Sequence, residues 1–273
     1  MSSILSIARL ELIIARRNLW VATAILLMAL FNIVLTIAGN APTGELGASP
    51  MTIALTSITT LSVYLVPLIG LLLSFDAIAG EAERGTLALG LSYPLSRIEI
   101  LLGKFLAHMI VLGAAIGIGL GLTLAITVYR YGVGAVELVP LLRLFATSMA
   151  LGGTFLGLGY AISALVKQTG AASGIAIGLW LIAVVLYDLG LLGALVADAG
   201  GYFTKVIFPY ALVANPADAF RLLNMPEQSV NMLATGLGAA SQVSGFAGQL
   251  SSLLIWPLAA LFFAFLAFRK IEP

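Results

Sequence analysis

Apolar residues in this chain run without interruption instead of alternating. Six stretches stand out: Leu19–Ala38, Met51–Phe75, Phe105–Tyr129, Leu144–Val166, Ala171–Ala197 and Leu250–Phe268. At 1.5 Å per residue, each is long enough to cross a hydrocarbon core of about 30 Å. The fifth fades between Tyr187 and Ala197 and carries Asp188 in its tail. A spanning barrel needs short strands of alternating character, so continuous runs predict helices. The expected fold is an all-α membrane protein, a single transmembrane domain over residues 1–273 with six transmembrane helices. The first run is longer than the about 7–15 residues of a secretory signal core, so it reads as a retained span.

Three further segments follow from the pattern. Residues 1–18 place Ile4, Leu5, Ile7, Ala8, Leu12 and Ile14 among Arg9, Arg16 and Arg17. This suits an interfacial helix with arginines at the headgroups; a plain extension of the first span also fits. The other two segments, 76–104 and 198–249, are too long to be simple hairpin connections.

Composition then narrows the class. Hydrophobic residues make up 61% of the 273 positions and charged residues 9%, too little charge to cover a soluble domain. The chain has no cysteine, which excludes disulfides, thiolate metal sites and thiol catalysis. Its single histidine, His108, excludes a His-rich metal site built from this chain alone. Placing the N-terminus inside puts Arg9, Arg16, Arg17, Arg84, Arg97, Lys104, Lys167, Arg269 and Lys270 on the cytoplasmic side, against Arg130, Arg143, Lys205 and Arg221 outside. The bias predicts both termini in the cytoplasm.

Within the spans, glycines recur every four residues: Gly113, Gly117 and Gly121; Gly153 and Gly157, continued by Ala161; Gly170, Gly174 and Gly178. Such stripes allow close helix packing, and one of them suits a second copy. Asn32, Thr56, Thr59, Thr60 and His108 are polar candidates for the bundle interior. His108 lies about one turn from Lys104 and reads as an interface anchor. Asp188 reads as a partner for Arg130 or Arg143.

The inner segment carries the strongest signal. Glu81, Glu83 and Arg84 form a charged cluster, Gly85–Thr86 breaks the pattern, and Pro94 stops a helix. Ser96 with Glu99 makes a capping box for a new one. The pattern predicts a short helix, a turn and a second short helix. From physics alone it is either a stiff lever or an amphipathic loop on the headgroups.

The string Glu81–Leu87, then Tyr93-Pro94-Leu95-Ser96-Arg97, then Leu102-Gly103-Lys104 resembles the cytoplasmic signature of type-2 ABC exporter permeases. The resemblance extends over the six-span topology. It implies that Glu81, Glu83, Arg84, Gly85 and Thr86 lie at or beside a coupling helix docked on a cytoplasmic ABC ATPase. It places Pro94, Ser96 and Arg97 in the return segment. It also implies a homodimer with two ATPase copies in a bacterial inner membrane. The chain has no Gly-x-x-x-x-Gly-Lys-Ser/Thr loop to cradle phosphates. ATP and Mg are therefore expected on the partner ATPase, with no cofactor on this non-catalytic subunit.

The outer segment mixes aromatics, prolines and charge, and predicts an ordered extracytoplasmic platform. Asn215–Pro216 starts a turn, Asp218–Leu223 suits a helical piece, and Pro226 ends it. The run Asn215–Gly236 and the chain length are similar to the permeases of ABC complexes that mature nitrous oxide reductase in denitrifying bacteria. That resemblance implies further partners: a periplasmic solenoid copper-assembly subunit and a copper chaperone lipoprotein. The implied task is assembly of the copper–sulfur centre of the reductase, by mechanical transmission or by transport of a sulfur or copper species. Tyr202, Phe208, Tyr210, Phe220 and Arg221 are the candidate partner contacts. Met225 and Met232 are weak copper candidates, since thioethers favour Cu(I) but methionine is also a packing residue. The alternatives are a type-2 permease for another cargo (lipid, drug or polysaccharide), or a scaffold or secondary transporter outside the ABC class. The chain shows no convincing internal repeat of the kind secondary carriers use.

Overall fold

The computed structural model describes residues 3–38, 49–198, 200–225 and 237–271. All regular secondary structure among them is helical. Six helical segments are long and apolar enough to span a membrane: Val21–Ala38, Pro50–Glu83, Arg97–Tyr131, Leu138–Leu165, Thr169–Asp198 and Gly245–Arg269. The expected six-span, all-α architecture is what the chain forms.

Helix α1 (Ser3–Ala15) precedes α2 (Leu19–Ala38), the first span. The second, α3 (Pro50–Ser74), starts at Ser49, whose hydroxyl accepts from the Thr52 amide. Proline at the first position costs this helix nothing, because its missing N–H would be unpaired anyway. Two short helices follow, α4 (Ala79–Glu83) and α5 (Thr86–Leu91). The third and fourth spans are α6 (Arg97–Tyr131) and α7 (Leu138–Leu165). The fifth is α8 (Thr169–Trp180), a π-helical stretch Leu181–Leu186, and α9 (Tyr187–Asp198). Then come α10 (Phe208–Ala214), α11 (Pro216–Asn224) and α12 (Leu237–Arg269). Gly245 interrupts α12 at φ 61°, a conformation that glycine adopts without steric cost.

The core centres on α7, which packs against α3 on one side and α12 on another; α2 and α1 pack along α6. Glycine sets these distances. A Cβ on Gly70 would sit 3.0 Å from the Gly152 carbonyl oxygen, one on Gly157 would lie 2.8 Å from Ala260 Cβ, and one on Gly103 would lie 2.7 Å from Ile7. Lipid gives helices no hydrophobic drive to associate, so close backbone approach and interhelical hydrogen bonds must hold the bundle. Thr36 and Thr123 supply one such bond, hydroxyl to hydroxyl at 3.0 Å between α2 and α6. The fifth-span stripe behaves differently: Gly170, Gly174 and Gly178 face open space, and few residues of that span are buried.

The described part of the outer segment is helical and folds back on the bundle. Here α10 and α11 fold back against α3, α7 and α12. The reason is local. Asn215 caps α11 through Oδ1, which accepts from the Ala217 amide at 2.9 Å, while its Nδ2 donates to the Ala183 carbonyl at 2.8 Å inside the π-helical stretch. Tyr187 and Trp256 donate to the carbonyls of Ala211 and Ala214, and Asn224 donates to the Thr147 hydroxyl on α7.

These contacts predict an asymmetry between glycines. In Gly157→Ala the new methyl meets the backbone of α12 as well as Ala260 Cβ, so overpacking should cost about 1–3 kcal/mol. Thermal unfolding in detergent should show a lower midpoint for Gly157→Ala and no lowering for Gly121→Ala, whose site is open.

Candidate functional site

The inner segment is a braced unit at one end of the bundle. Gly85 takes φ 73° between α4 and α5. A side chain there would cost about 1–2 kcal/mol, so the tight corner depends on glycine. Ser96 caps α6, with Glu99 Oε2 accepting from the Ser96 amide at 2.9 Å, as the sequence pattern predicts.

Three of the expected coupling residues turn out to be ties. Glu81 accepts from Lys104 Nζ at 2.6 Å, and the same ammonium is bonded to Glu11 on α1. The Lys104 side chain is only 6% exposed, so this ion bridge sits in low dielectric and is screened little by salt. Glu83 Oε2 accepts from the amide of Thr169 at 2.9 Å and from its hydroxyl at 2.5 Å. A carboxylate at the start of α8 satisfies an orphan N–H and meets the positive end of the helix dipole. Arg97 donates to the carbonyls of Phe268 at 2.7 Å and Ile271 at 2.6 Å, closing the end of α12.

Sequence reasoning missed two partners in this assembly. Ser163 Oγ on α7 accepts from the amides of Ile78 and Ala79, each at 2.9 Å, and so caps the start of α4. Glu11 supplies the second carboxylate to Lys104. Nothing near Ser163 marks it in sequence. Glu11 carried a signal, the only acidic residue among the apolar and basic positions of α1. The His108 Nδ1 lies 2.6 Å from the Tyr160 hydroxyl, a contact that ties α6 to α7.

Arg84, Gly85 and Thr86 remain outward, with Pro94 and Ser96 also exposed. Leu89 is exposed on α5 while Leu87 is buried beneath it. Behind α5, a groove of about 590 Å³ runs to the ends of α7 and α12, rimmed by Lys167 and Lys270. The arrangement can take a push: an exposed tip on two short helices, tied by side chains to α1, α6, α7 and α8.

At the opposite end, the expected partner contacts divide. Tyr202 is 70% and Tyr210 64% exposed, whereas Phe208 is buried and Phe220 has no exposed surface. Phe208 and Phe220 are therefore core residues, a correction that follows from the folding back of α10 and α11. Arg221 is also interior. Its two terminal nitrogens bind Asp218 Oδ1 at 2.6 Å and Asp188 Oδ2 at 2.8 Å. Asp188 thus pairs with Arg221 and not with Arg130 or Arg143. Met225 is buried in an apolar cluster with Phe208, Leu212 and Leu222, which is a packing role. Met232 lies outside the described residues. Among the described residues, no group of three or more His, Cys, Asp or Glu side chains suits a metal ion.

Six spans with a braced helical hairpin at one end define a transporter membrane domain, and the chain belongs to the ABC-2 transporter family: residues 5–272 match the family described as ABC-2 family transporter protein. It is an ABC-2 type permease and a multi-pass membrane protein. Its similar relatives include the probable ABC transporter permease protein NosY of Pseudomonas aeruginosa, 38% identical over 268 residues, 97% of each chain. The probable ABC transporter permease protein NosY of Stutzerimonas stutzeri is 38% identical over 277 residues, 99% of each chain.

Removing Lys104 tests the brace. Lys104→Met leaves the carboxylates of Glu11 and Glu81 without their shared cation, and breaking a buried pair costs about 3–5 kcal/mol. The unfolding midpoint in detergent should drop sharply. Adding Glu11→Gln and Glu81→Gln to the same protein should recover much of the loss.

Proposed function

We propose that this chain is the permease subunit of an ABC complex that matures nitrous oxide reductase. It couples cytoplasmic ATP hydrolysis to periplasmic assembly of the copper–sulfur centre. The named relatives support the system, and the braced inner hairpin supports the mode of action. In this reading both termini face the cytoplasm of a bacterial inner membrane, and the tip formed by Arg84, Gly85, Thr86 and Leu89 docks on the ATPase. ATP binding draws two ATPase subunits together. Each hairpin moves with its ATPase, and its ties carry that motion to the first helix and to spans three, four and five.

The subunit works as a homodimer. The support is the fifth span, whose glycine stripe Gly170–Gly174–Gly178 meets no packing partner among the described residues. A second copy presenting the same face gives the close approach such stripes favour. The periplasmic solenoid subunit and the copper chaperone lipoprotein are the outer partners, with Tyr202 and Tyr210 as the exposed aromatics that meet them. ATP and Mg bind to the ATPase subunits. Whether a sulfur or copper species crosses or motion alone is transmitted, the same hairpin drives the step.

The observation that carries this reading is the contrast within residues 81–86: Glu81 and Glu83 are bonded to Lys104 and Thr169 on other helices, while Arg84 is exposed and the exposed Thr86 bonds only within the segment, to the Glu81 carbonyl. A double variant, Arg84→Glu with Thr86→Glu, should leave the unfolding midpoint of the permease unchanged. ATP turnover by the complex should persist while the reductase made in that strain lacks its copper–sulfur centre. Normal copper and sulfide content in the reductase would defeat the assignment of the hairpin. A normal reductase in a strain deleted for the whole permease would point to another cargo.

A further inference from the structure

A cavity of about 230 Å³ lies between α3, α9, α10 and α11, lined by Thr60, Tyr64, Asp188, Asp218, Arg221 and Met225, with leucines and Phe208 making up the remaining wall. Two carboxylates and one guanidinium meet there. Arg221 is already divided between Asp218 Oδ1 and Asp188 Oδ2. The second oxygen of Asp218 has no hydrogen-bond partner among the described residues, although the residue has no exposed surface. An unpaired carboxylate oxygen in such a place costs several kcal/mol unless it is neutralised. With both acids ionised the trio carries a net negative charge beside an apolar wall.

We propose that the Asp218–Asp188 pair in this cavity is a proton-binding site, with one proton held on Asp218 when α11 is docked against α3, α7 and α12. A proton supplies the missing positive charge. It converts the orphan acceptor into an O–H donor that Asp188 can accept, and it leaves both bonds from Arg221 in place. An alkali cation would need several converging oxygens, and one orphan oxygen does not offer them. Burial and then the Asp188 carboxylate push the Asp218 carboxyl up to about 8, against the pull of Arg221. The other titratable groups nearby are Tyr64 on α3 and Tyr187 on α9. Helix α7 brings Glu137 and Arg143 only at its outer start, and α12 has no titratable side chain between Leu237 and Phe268. Loss of the proton leaves excess negative charge in the cavity and weakens the docking of α11. The cavity thus links acidity at that end of the bundle to the packing of the outer segment.

The sign follows from the raised value. The docked state binds a proton that an exposed aspartate releases near its ordinary 3.8. Stability from this site is complete below that value and is lost as pH rises through about 8. Asp218→Asn mimics the protonated acid and keeps an acceptor for Arg221. Unfolding midpoints of the purified full chain in detergent would be compared from about pH 5 to about pH 9. The wild-type midpoint should fall, relative to Asp218→Asn, by a few degrees across that range. The variant should be the more stable protein at the alkaline end. A variant less stable than wild type by the same margin at every pH would make Asp218 a plain ion-pair residue and overturn the proposal. Infrared difference spectra give the second readout. A protonated-carboxyl band present near neutral pH, and absent from Asp218→Asn, supports the site. No such band, or a midpoint that follows sodium concentration instead of pH, overturns it.

Discussion

The inner end of this protein depends on one ammonium. Lys104 sits among apolar helices and reaches two carboxylates, Glu11 on the first helix and Glu81 beneath the second span. Two charges from water are costly to bury, and the cost is offset only when geometry and partners are good. The fold meets that condition by bringing three separate elements to one point. Once they meet, α1 cannot slide along α6, and α4 cannot swing away from either. The neighbouring ties act on the same body: Ser163 on the start of α4, Glu83 on the start of α8, and Arg97 on the end of α12. A hairpin held this way is tied to the spans, which is what the proposed coupling to an ATPase requires.

The outer end uses different chemistry for a similar purpose. There α10 and α11 are fixed by two side-chain amides, one indole N–H and one phenol, which donate to carbonyls and to the Thr147 hydroxyl. The Ala183 carbonyl, in the π-helical stretch of the fifth span, accepts from Asn215. The cluster Asp188–Arg221–Asp218 then adds charge to a region that is otherwise apolar. Polar groups buried at both ends, with close-packed glycines between, let the bundle act as a stiff connector.

Much of this was legible in the sequence, and the reason is physical. Span number depends on long apolar runs, and 18 or more uncharged residues have few other stable homes. The Ser96–Glu99 box is local, so spacing alone revealed it. The turn at Gly85 was likewise visible. What stayed hidden were pairings across long separations. Lys104 with Glu11 and Asp188 with Arg221 join residues far apart in sequence, and no local pattern encodes them. Phe220 and Phe208 misled for a related reason. Aromatics in a polar, proline-containing stretch read as exposed contact residues, but α11 is amphipathic and turns its apolar face to α3, α7 and α12.

The central claim is that the inner hairpin and the bundle move as one body when the ATPase acts. The chain has no cysteine, so single labels can be placed without background. Spin labels at Leu89 on α5 and Leu5 on α1, both exposed, report the distance across the Lys104 bridge. Pulsed electron-spin measurements on the complete complex, with and without bound ATP, should give the same distance within one subunit. The distance between Leu89 labels on the two copies should change. A Leu89–Leu5 distance that shifts with nucleotide would show a hairpin that moves independently, and would contradict the account.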